Sequence, residues 1–238
     1  MANKLLDISN LSIGYIKPIV KNINCSLDKG EFAVLLGANG SGKSTFIKSI
    51  LQYQVYLTGS IKLNDIHLNS FSNLNLAKKI AIVSTDTQFD LNLTVYDILA
   101  IGRIPYLSIF GKLKEKDLAI INKYIDLLDL RLLLNQLFHQ LSDGQKQKVL
   151  IARALIQDTP LIILDEPTAH LDVKNRMLIF KLLKKIATDE HKSIICATHE
   201  IDFALKNSTS VWLIDKHQNF ITGTSNKFNT DMIYCNLF

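Results

Sequence analysis

The stretch "GANGSGKST" occupies residues 37–45 and directly follows the apolar run "FAVLL". Its spacing is one glycine, four other residues, and then glycine, lysine and serine. Glycines let the backbone turn so that its N–H groups converge, and a helix that begins just behind them adds the positive end of its dipole. Converging N–H groups attract phosphate. The stretch therefore predicts a strand, a phosphate-binding loop and a helix in that order, which is the arrangement of a P-loop.

The side chains of this loop suit a nucleotide. Lys43 can reach the β- and γ-phosphates, and the hydroxyl of Ser44 can ligate Mg²⁺. A glycine-rich surface turn is the alternative, but the strand before the loop and the helix after it argue against that. The loop alone leaves adenine or guanine, and hydrolysis or transfer, open. The predicted nucleotide-binding residues are Gly37, Ala38, Asn39, Gly40, Ser41, Gly42, Lys43, Ser44 and Thr45.

Composition narrows the class of protein. The chain has 238 residues, of which 47% are hydrophobic and 21% charged, as in ordinary globular proteins. The net charge of +5 comes from lysines spread along the chain. This favours solvated helix faces over a nucleic-acid groove, so no nucleic-acid partner is expected.

Two further absences point to the cytoplasm. The three cysteines lie far apart, without metal-ligand spacing, which suits a reducing compartment. The N-terminus does not have the pattern of a signal peptide, and no run of about 18 apolar residues occurs. We therefore expect a cytoplasmic protein that does not cross a membrane.

Hydrophobic periodicity outlines the architecture. Short apolar runs alternate with helical patterns at both ends of the chain, and helical spacing dominates approximately residues 86–158. The pattern predicts an α/β core with an inserted helical lobe.

The run "LIILDE" at residues 161–166 predicts a second part of the site. A buried strand that ends in two carboxylates needs a cation nearby. Asp165 is suited to hold Mg²⁺ through water, and Glu166 is suited to orient or deprotonate an attacking water. A solvent-facing strand end is the alternative, which the P-loop makes less probable.

The stretch "LSDGQKQKVLIARAL" at residues 141–155 resembles the signature motif of ATP-binding-cassette (ABC) ATPases, usually written LSGGQ. Other motifs of this family occur in order around it. Tyr15 stands where the family places an aromatic residue that stacks on adenine. The stretch "DEPTAHLD" contains the D-loop and ends in Asp172, and "ATHE" supplies His199 as the switch histidine.

The resemblance covers essentially the whole chain and implies a fold and a chemistry. The fold is an α/β P-loop NTPase of ABC ATPase type, with a mixed sheet core, an N-terminal antiparallel β subdomain and an inserted helical subdomain. Residues 1–238 would form one such domain, with the helical subdomain at approximately 86–158. ATP and Mg²⁺ are the implied cofactors, and Glu166 and His199 the implied catalytic residues.

The signature implies a dimer. Ser142 precedes a helix in the position of an N-cap, and its hydroxyl and the Gly144 N–H would form a second phosphate site. In the family, ATP lies between the P-loop of one subunit and the signature of the other, in a head-to-tail homodimer. The signature residues here are Ser142, Asp143, Gly144 and Gln145. Asp143 departs from the usual glycine, and we expect it to favour the helix dipole and point outward.

The stretch "LTVYDILAIGRIPYL" at residues 93–107 resembles importers of the iron–siderophore, haem and cobalamin type. This implies two separate transmembrane permease subunits, indirectly a substrate-binding protein, and a location on the inner face of the cell membrane. The alternative is a soluble, non-transport ABC ATPase, such as one that serves iron–sulfur cluster assembly.

One family position is altered. ABC ATPases usually carry a glutamine just after the strand that here reads "KIAIVS", to place an oxygen near Mg²⁺ and the attacking water. Counting by resemblance from Thr94 reaches Thr85, and the next glutamine is Gln88. The alternative is that neither residue contacts the metal. We favour Thr85 as a metal-site residue over Gln88, because a strand end positions an oxygen better than a loop.

Overall fold

The computed structural model describes residues 4–84, 89, 91–108, 111–169 and 171–237. The strands in this part of the chain are β1 (Lys4–Gly14), β2 (Pro18–Asp28), β3 (Phe32–Gly37), β4 (Thr58–Leu63), β5 (Ile66–His67), β6 (Ile80–Ser84), β7 (Leu161–Asp165), β8 (Ser193–Ala197), β9 (Ser210–Ile214) and β10 (Phe220–Thr224). The helices are α1 (Lys43–Ile50), α2 (Asn73–Ala77), α3 (Val95–Ile101), α4 (Glu115–Leu127), α5 (Asp143–Ile156), α6 (Val173–Asp189), α7 (Ile201–Asn207) and α8 (Thr230–Leu237).

The strands form two sheets. The antiparallel sheet has the order β2-β1-β4-β5, and the mixed sheet has the order β10-β9-β3-β8-β7-β6. In the mixed sheet, β9, β3, β8, β7 and β6 are parallel, and β10 pairs antiparallel with β9. Strands β3 and β8 are buried along their whole length, as expected of parallel strands covered on both faces. The carboxyl ends of β3, β7 and β8 meet at one edge of this sheet, where the predicted site residues follow.

Two hydrophobic clusters hold the layers together. One lies between a face of the mixed sheet and helices such as α3, α5 and α6. The other lies between the two sheets and includes Trp212, which packs edge-on against Phe46 at a centroid distance of 6.0 Å. Cys25 and Cys196 are buried in these clusters, whereas Cys235 on α8 is exposed. Burial raises the pKa of both buried thiols, so they stay protonated and unreactive.

In the sequence, helices α3, α4 and α5 lie between β6 and β7. Thr94 begins α3 with a capping box, in which its side chain and that of Asp97 satisfy each other's backbone N–H groups. Arg103 of the "GRIP" stretch (residues 102–105) is buried and pairs with Asp117 of α4 at 2.8 Å. It also donates to the carbonyl of Ile156, at the end of α5. Arg103 therefore joins three segments of this helical region.

The Asp117 carboxyl is held in its charged form. Burial alone would raise its pKa, but hydrogen bonds from the Lys114 backbone and from Arg103, with the positive charge of Arg103, hold the pKa below its usual range. The ion pair thus satisfies the two most buried opposite charges of the helical region.

The predicted fold class is confirmed: a mixed α/β sheet carries the P-loop, an antiparallel sheet combines β1 and β2 from the N-terminus with β4 and β5 from after α1, and helices are inserted in the chain between β6 and β7. Two details differ from the sequence prediction. Helices α2 and α8 were not predicted, and β1 and β2 are longer than their apolar runs. Among the described residues, no helix is both long enough and apolar enough to cross a membrane.

Candidate nucleotide-binding site

The P-loop turns from β3 into α1. β3 ends at Gly37 and α1 begins at Lys43, with Gly42 as its N-cap at φ +112°. A Cβ at Gly42 would lie 3.2 Å from Cγ2 of Ile19 on β2, so both the backbone angle and the neighbouring strand require glycine there. The helix N-terminus is thereby aimed at the space above the loop.

Lys43 is the buried cation of this loop. Its Nζ donates to the carbonyl of Gly37 at 2.8 Å and to that of Ala38 at 3.2 Å. It also lies 3.6 Å from Oε1 of Glu166. The ammonium is therefore fixed at the floor of the site by two backbone oxygens and faces one carboxylate.

A cavity of about 240 Å³ lies over the loop. It is lined by Ile19, Asn39, Gly40, Gly42, Lys43, Ser44, Thr45 and Glu166. The Oγ of Ser41, in the same loop, is buried and makes no hydrogen bond within the described part of the chain. An unsatisfied hydroxyl, a buried ammonium and a helix N-terminus are the groups that phosphate oxygens would satisfy. The residues present fit a nucleotide phosphate chain.

The two acidic residues stand where the predicted strand ends. Asp165 is the last residue of β7 and pairs in register with Ser84 of β6 and Ala197 of β8. Glu166 follows with φ +50°, and its N–H donates to the carbonyl of Ala197 at 2.9 Å. A left-handed conformation is uncommon for glutamate and is concentrated at functional positions. It turns the chain at the sheet edge, and the Glu166 side chain lines the cavity.

The Glu166 carboxylate is divided between two partners. Oε1 faces Nζ of Lys43, and Oε2 lies 2.8 Å from Nδ1 of His199. His199 follows β8, so two neighbouring parallel strands bring the predicted base and the predicted switch histidine together. A carboxylate held between a cation and an imidazole can accept a proton from a water in the cavity.

Ser44 and Asp165 fit a magnesium ion. The Ser44 side chain lines the cavity and Asp165 ends the adjacent strand β7. In the described residues, no group of three or more histidine, cysteine, aspartate or glutamate side chains could form a protein-only metal site. Mg²⁺ does not need one, since it usually takes one or two protein oxygens, phosphate oxygens and several waters.

A second cavity of about 600 Å³ adjoins the first through Asn39 and Glu166. His199 lines it, as do Tyr234 and Leu237 of α8. Sequence reasoning missed α8 as a wall of this site. The apolar spacing of Ile233 and Leu237, four residues apart, was the signal that could have revealed a helix here.

Three other predicted positions are not among the described residues that line either cavity. Tyr15 lies between β1 and β2 and is 68% exposed, so its ring is open to solvent and not part of the core. Thr85 and Gln88 lie outside the described residues.

The signature residues begin α5. Ser142 is the N-cap, as predicted, and forms a capping box in which the Gln145 side chain accepts from the Ser142 N–H at 2.9 Å. Asp143 is exposed in the first turn and lies 3.5 Å from Nζ of Lys146. Its negative charge therefore points outward and favours the helix dipole.

Asp172 of the D-loop caps α6. Its Oδ1 accepts from the backbone N–H of Asn175 at 2.7 Å, and its Oδ2 accepts from the Asn175 side chain at 3.2 Å. The Asn175 amide lies flat on Gly144, where a Cβ would come within 3.1 Å of its Cγ. Sequence reasoning missed Asn175, although an aspartate N-cap predicts that the residue three positions later will contact it.

Comparison with known proteins agrees with this geometry. The sequence model of the ABC transporter family matches residues 20–169. The chain is 38% identical over 215 residues to an uncharacterized ABC transporter ATP-binding protein of Methanocaldococcus jannaschii, which covers 90% of this chain and 74% of that protein. It is 32% identical to an iron(3+)-hydroxamate import ATP-binding protein of Bacillus subtilis, over 98% of this chain and 87% of that protein.

The chain belongs to the ABC transporter family. Among solved structures, it is similar to an inward-facing metal-chelate type ABC transporter described as putative, with a TM-score of 0.87 and 30% identity over 99% of this chain and 89% of that one. As an ABC transporter ATP-binding domain, the chain binds and hydrolyses ATP.

Within one copy of this ABC ATPase, the signature does not reach the P-loop cavity. The residues that line the cavity come from β2, the P-loop, α1 and Glu166, and none comes from residues 141–145. The P-loop cavity and the signature therefore lie apart within one copy.

Proposed function

We propose that this chain is the ATP-hydrolysing subunit of an importer that takes up an iron chelate, such as a siderophore or haem, or cobalamin, through a separate permease. The observation that carries the proposal is the likeness over 98% of the chain to an iron(3+)-hydroxamate import ATP-binding protein. The stretch at residues 93–107 supports the same subfamily.

The site residues have the following proposed roles. Lys43 and the P-loop N–H groups bind the phosphates, and Tyr15 stacks on the base. Glu166 takes the proton of the attacking water, and His199 contacts the γ-phosphate through the ring nitrogen that faces away from Glu166. Ser44 and Asp165 would hold Mg²⁺, which when bound neutralises charge on the phosphates.

ABC cassettes form dimers and work with permease subunits. The separation of the signature from the P-loop cavity supports a head-to-tail homodimer, in which Ser142 and Gly144 of one copy would complete the phosphate site of the other. We infer that residues 1–238 act as a single ATPase domain, with approximately 86–158 as its helical subdomain, and that two copies serve two permease subunits and, indirectly, a substrate-binding protein. Such an assembly would lie on the inner face of the cell membrane.

A groove between the core and the helical region supports contact with a permease. Its volume is about 470 Å³, and Gly102, Ile104 and Pro105 of the "GRIP" stretch form one wall. Tyr53 also lines it and is largely exposed, as is Ile104. Apolar side chains left in water beside a groove are typical of a surface that a partner covers.

The test is affinity capture of the tagged full chain from detergent-solubilised membranes of its own cells, followed by uptake assays with radiolabelled ferric chelates and cobalamin. We expect co-purification of a polytopic permease, and we expect Ile104→Glu to abolish it while ATP binding is retained. Leu132→Glu is the matched control, because Leu132 is exposed but lies outside the groove. Capture of soluble cluster-assembly proteins without a permease would instead favour the non-transport ATPase.

A further inference from the structure

Glu200 lies next to the switch histidine and shares its carboxylate between Arg176 and His199. Its Oε1 is 2.5 Å from Nη1 of Arg176 and 3.4 Å from Nε2 of His199. The Glu200 side chain is only 13% exposed. A largely buried carboxylate needs a hydrogen-bonded cation. Whether Arg176 supplies it therefore determines how strongly Glu200 interacts with His199.

Arg176 connects this carboxylate to the D-loop. It lies in the first turn of α6, and its Nε donates to the carbonyl of Leu171 at 2.7 Å. The planar guanidinium thus binds a D-loop carbonyl on one edge and Glu200 on another. This fixes the carboxylate of Glu200 relative to the segment that precedes Asp172.

His199 depends on its polar neighbours for its orientation. Its side chain is 52% exposed, so packing does not immobilise the ring. Nδ1 is taken by Glu166 at 2.8 Å, which leaves Nε2 as the nitrogen that can meet the γ-phosphate. Without Arg176, the Glu200 carboxylate would have only Nε2 of His199 as an ion-pair or hydrogen-bond partner among the described residues, and the carboxylate would compete with the phosphate for that nitrogen.

We propose that Arg176 is a positioning residue for ATP hydrolysis: it neutralises Glu200, leaves Nε2 of His199 available to the nucleotide, and fixes His199 relative to the D-loop. The proposal rests on the role given above to His199. It assigns Arg176 no contact with ATP, and its effect is transmitted through Glu200.

The experiment measures kcat and KM for ATP hydrolysis by the purified full chain carrying Arg176→Met. Loss of one charge-assisted hydrogen bond predicts a fall in kcat of about tenfold, with KM for ATP changed less than about threefold. Adding Glu200→Gln to Arg176→Met removes the uncompensated carboxylate, so it should restore most of the lost kcat. Lys192→Met is the matched control, because it breaks a 2.7 Å ion pair with Asp158 that involves none of the site residues, and its kcat should be unchanged.

The variants separate the possible outcomes. Wild-type turnover by Arg176→Met, or a double variant no faster than Arg176→Met when both melt at the wild-type temperature, would overturn the proposal. If Arg176→Met melts below the wild type, the double variant still decides. Recovery of kcat without recovery of the melting temperature supports the positioning role of Arg176, whereas recovery of both together contradicts that role. His199→Ala tests the underlying assignment: normal turnover there would remove the role of His199, whereas a slow His199→Ala with a normal Arg176→Met would reject only the role of Arg176.

Discussion

Nζ of Lys43 lies 3.6 Å from Oε1 of Glu166, so the buried cation of the P-loop and the carboxylate after β7 form an ion pair in the lining of the nucleotide cavity. Lys43 also donates to two backbone carbonyls, which hold the ammonium in place whether or not the carboxylate is near. We infer that an entering phosphate replaces the carboxylate as the counter-ion of Lys43. This would release Glu166 to accept a hydrogen bond from water.

Glu166→Gln is therefore expected to keep ATP binding and to lower the hydrolysis rate by about 10²–10⁴-fold, the usual contribution of a general base. The amide removes the proton acceptor but fills the same volume. The variant should also accumulate as an ATP-bound dimer, which size-exclusion chromatography would detect.

Glu190→Gln is the control for this substitution. Glu190 follows α6 and pairs with Lys123 and Tyr124, away from the nucleotide cavity. Its replacement should leave turnover unchanged. Near-normal turnover by Glu166→Gln would show that another group takes the proton.

Tyr15→Ala should raise the dissociation constant for ATP by about 5–150-fold, because stacking of a base on an aromatic ring contributes about 1–3 kcal/mol. Tyr15→Phe keeps the ring face and should change little. Titration with a fluorescent ATP analogue measures both. Tyr53→Ala is the control, since Tyr53 is equally open to solvent but lines the other groove. If the wild type and the three variants bind ATP with equal affinity, Tyr15 does not stack on the base.

Thr85→Val should lower steady-state ATP hydrolysis, measured with the permease present, more than Gln88→Ala does. Valine keeps the shape of threonine and removes only the oxygen, which is suited to a hard cation such as Mg²⁺. If Gln88→Ala hydrolyses ATP slowly and Thr85→Val hydrolyses it at the wild-type rate, the family's glutamine role belongs to Gln88.

Asp117→Asn should destabilise the fold by about 3 kcal/mol, because it leaves the buried guanidinium of Arg103 without a counter-charge. Urea unfolding at neutral pH measures the loss. Asp126→Asn is the control, since the Arg131–Asp126 pair is exposed on both sides and should contribute less than about 1 kcal/mol.

The same pair predicts a pH dependence. The folded protein holds the pKa of Asp117 below its usual range, so the stabilisation is present above the unfolded pKa of about 3.9 and is lost as the pH falls through the folded value. The difference in unfolding free energy between the wild type and Asp117→Asn should therefore shrink below about pH 4. A constant difference would mean that the charge of Asp117 does not stabilise the fold.

Local spacing explains which features could be predicted from the sequence. The P-loop, the two carboxylates at the end of β7 and the Ser142 cap each occupy one short segment, so the order of residues alone indicates their chemistry. Asn175 on Gly144 and Arg176 on Glu200 join segments that are 31 and 24 residues apart in the chain. Such contacts follow from how α5, α6 and α7 pack around the sheet, which periodicity does not specify. The left-handed backbone of Glu166 could not be predicted either, because it is stabilised by a hydrogen bond to β8, a strand that is distant in the sequence.

The unequal exposure of the cysteines makes the unmodified chain suitable for site-specific labelling. Maleimides react with thiolates, and the raised pKa values and burial of Cys25 and Cys196 leave Cys235 as the accessible thiol. Cys235 lies on α8 beside Tyr234, which lines the second cavity. A fluorophore attached there would report on that wall of the nucleotide site without any substitution. In a pair of labelled copies, energy transfer between the two dyes would follow opening and closing of the assembly during turnover.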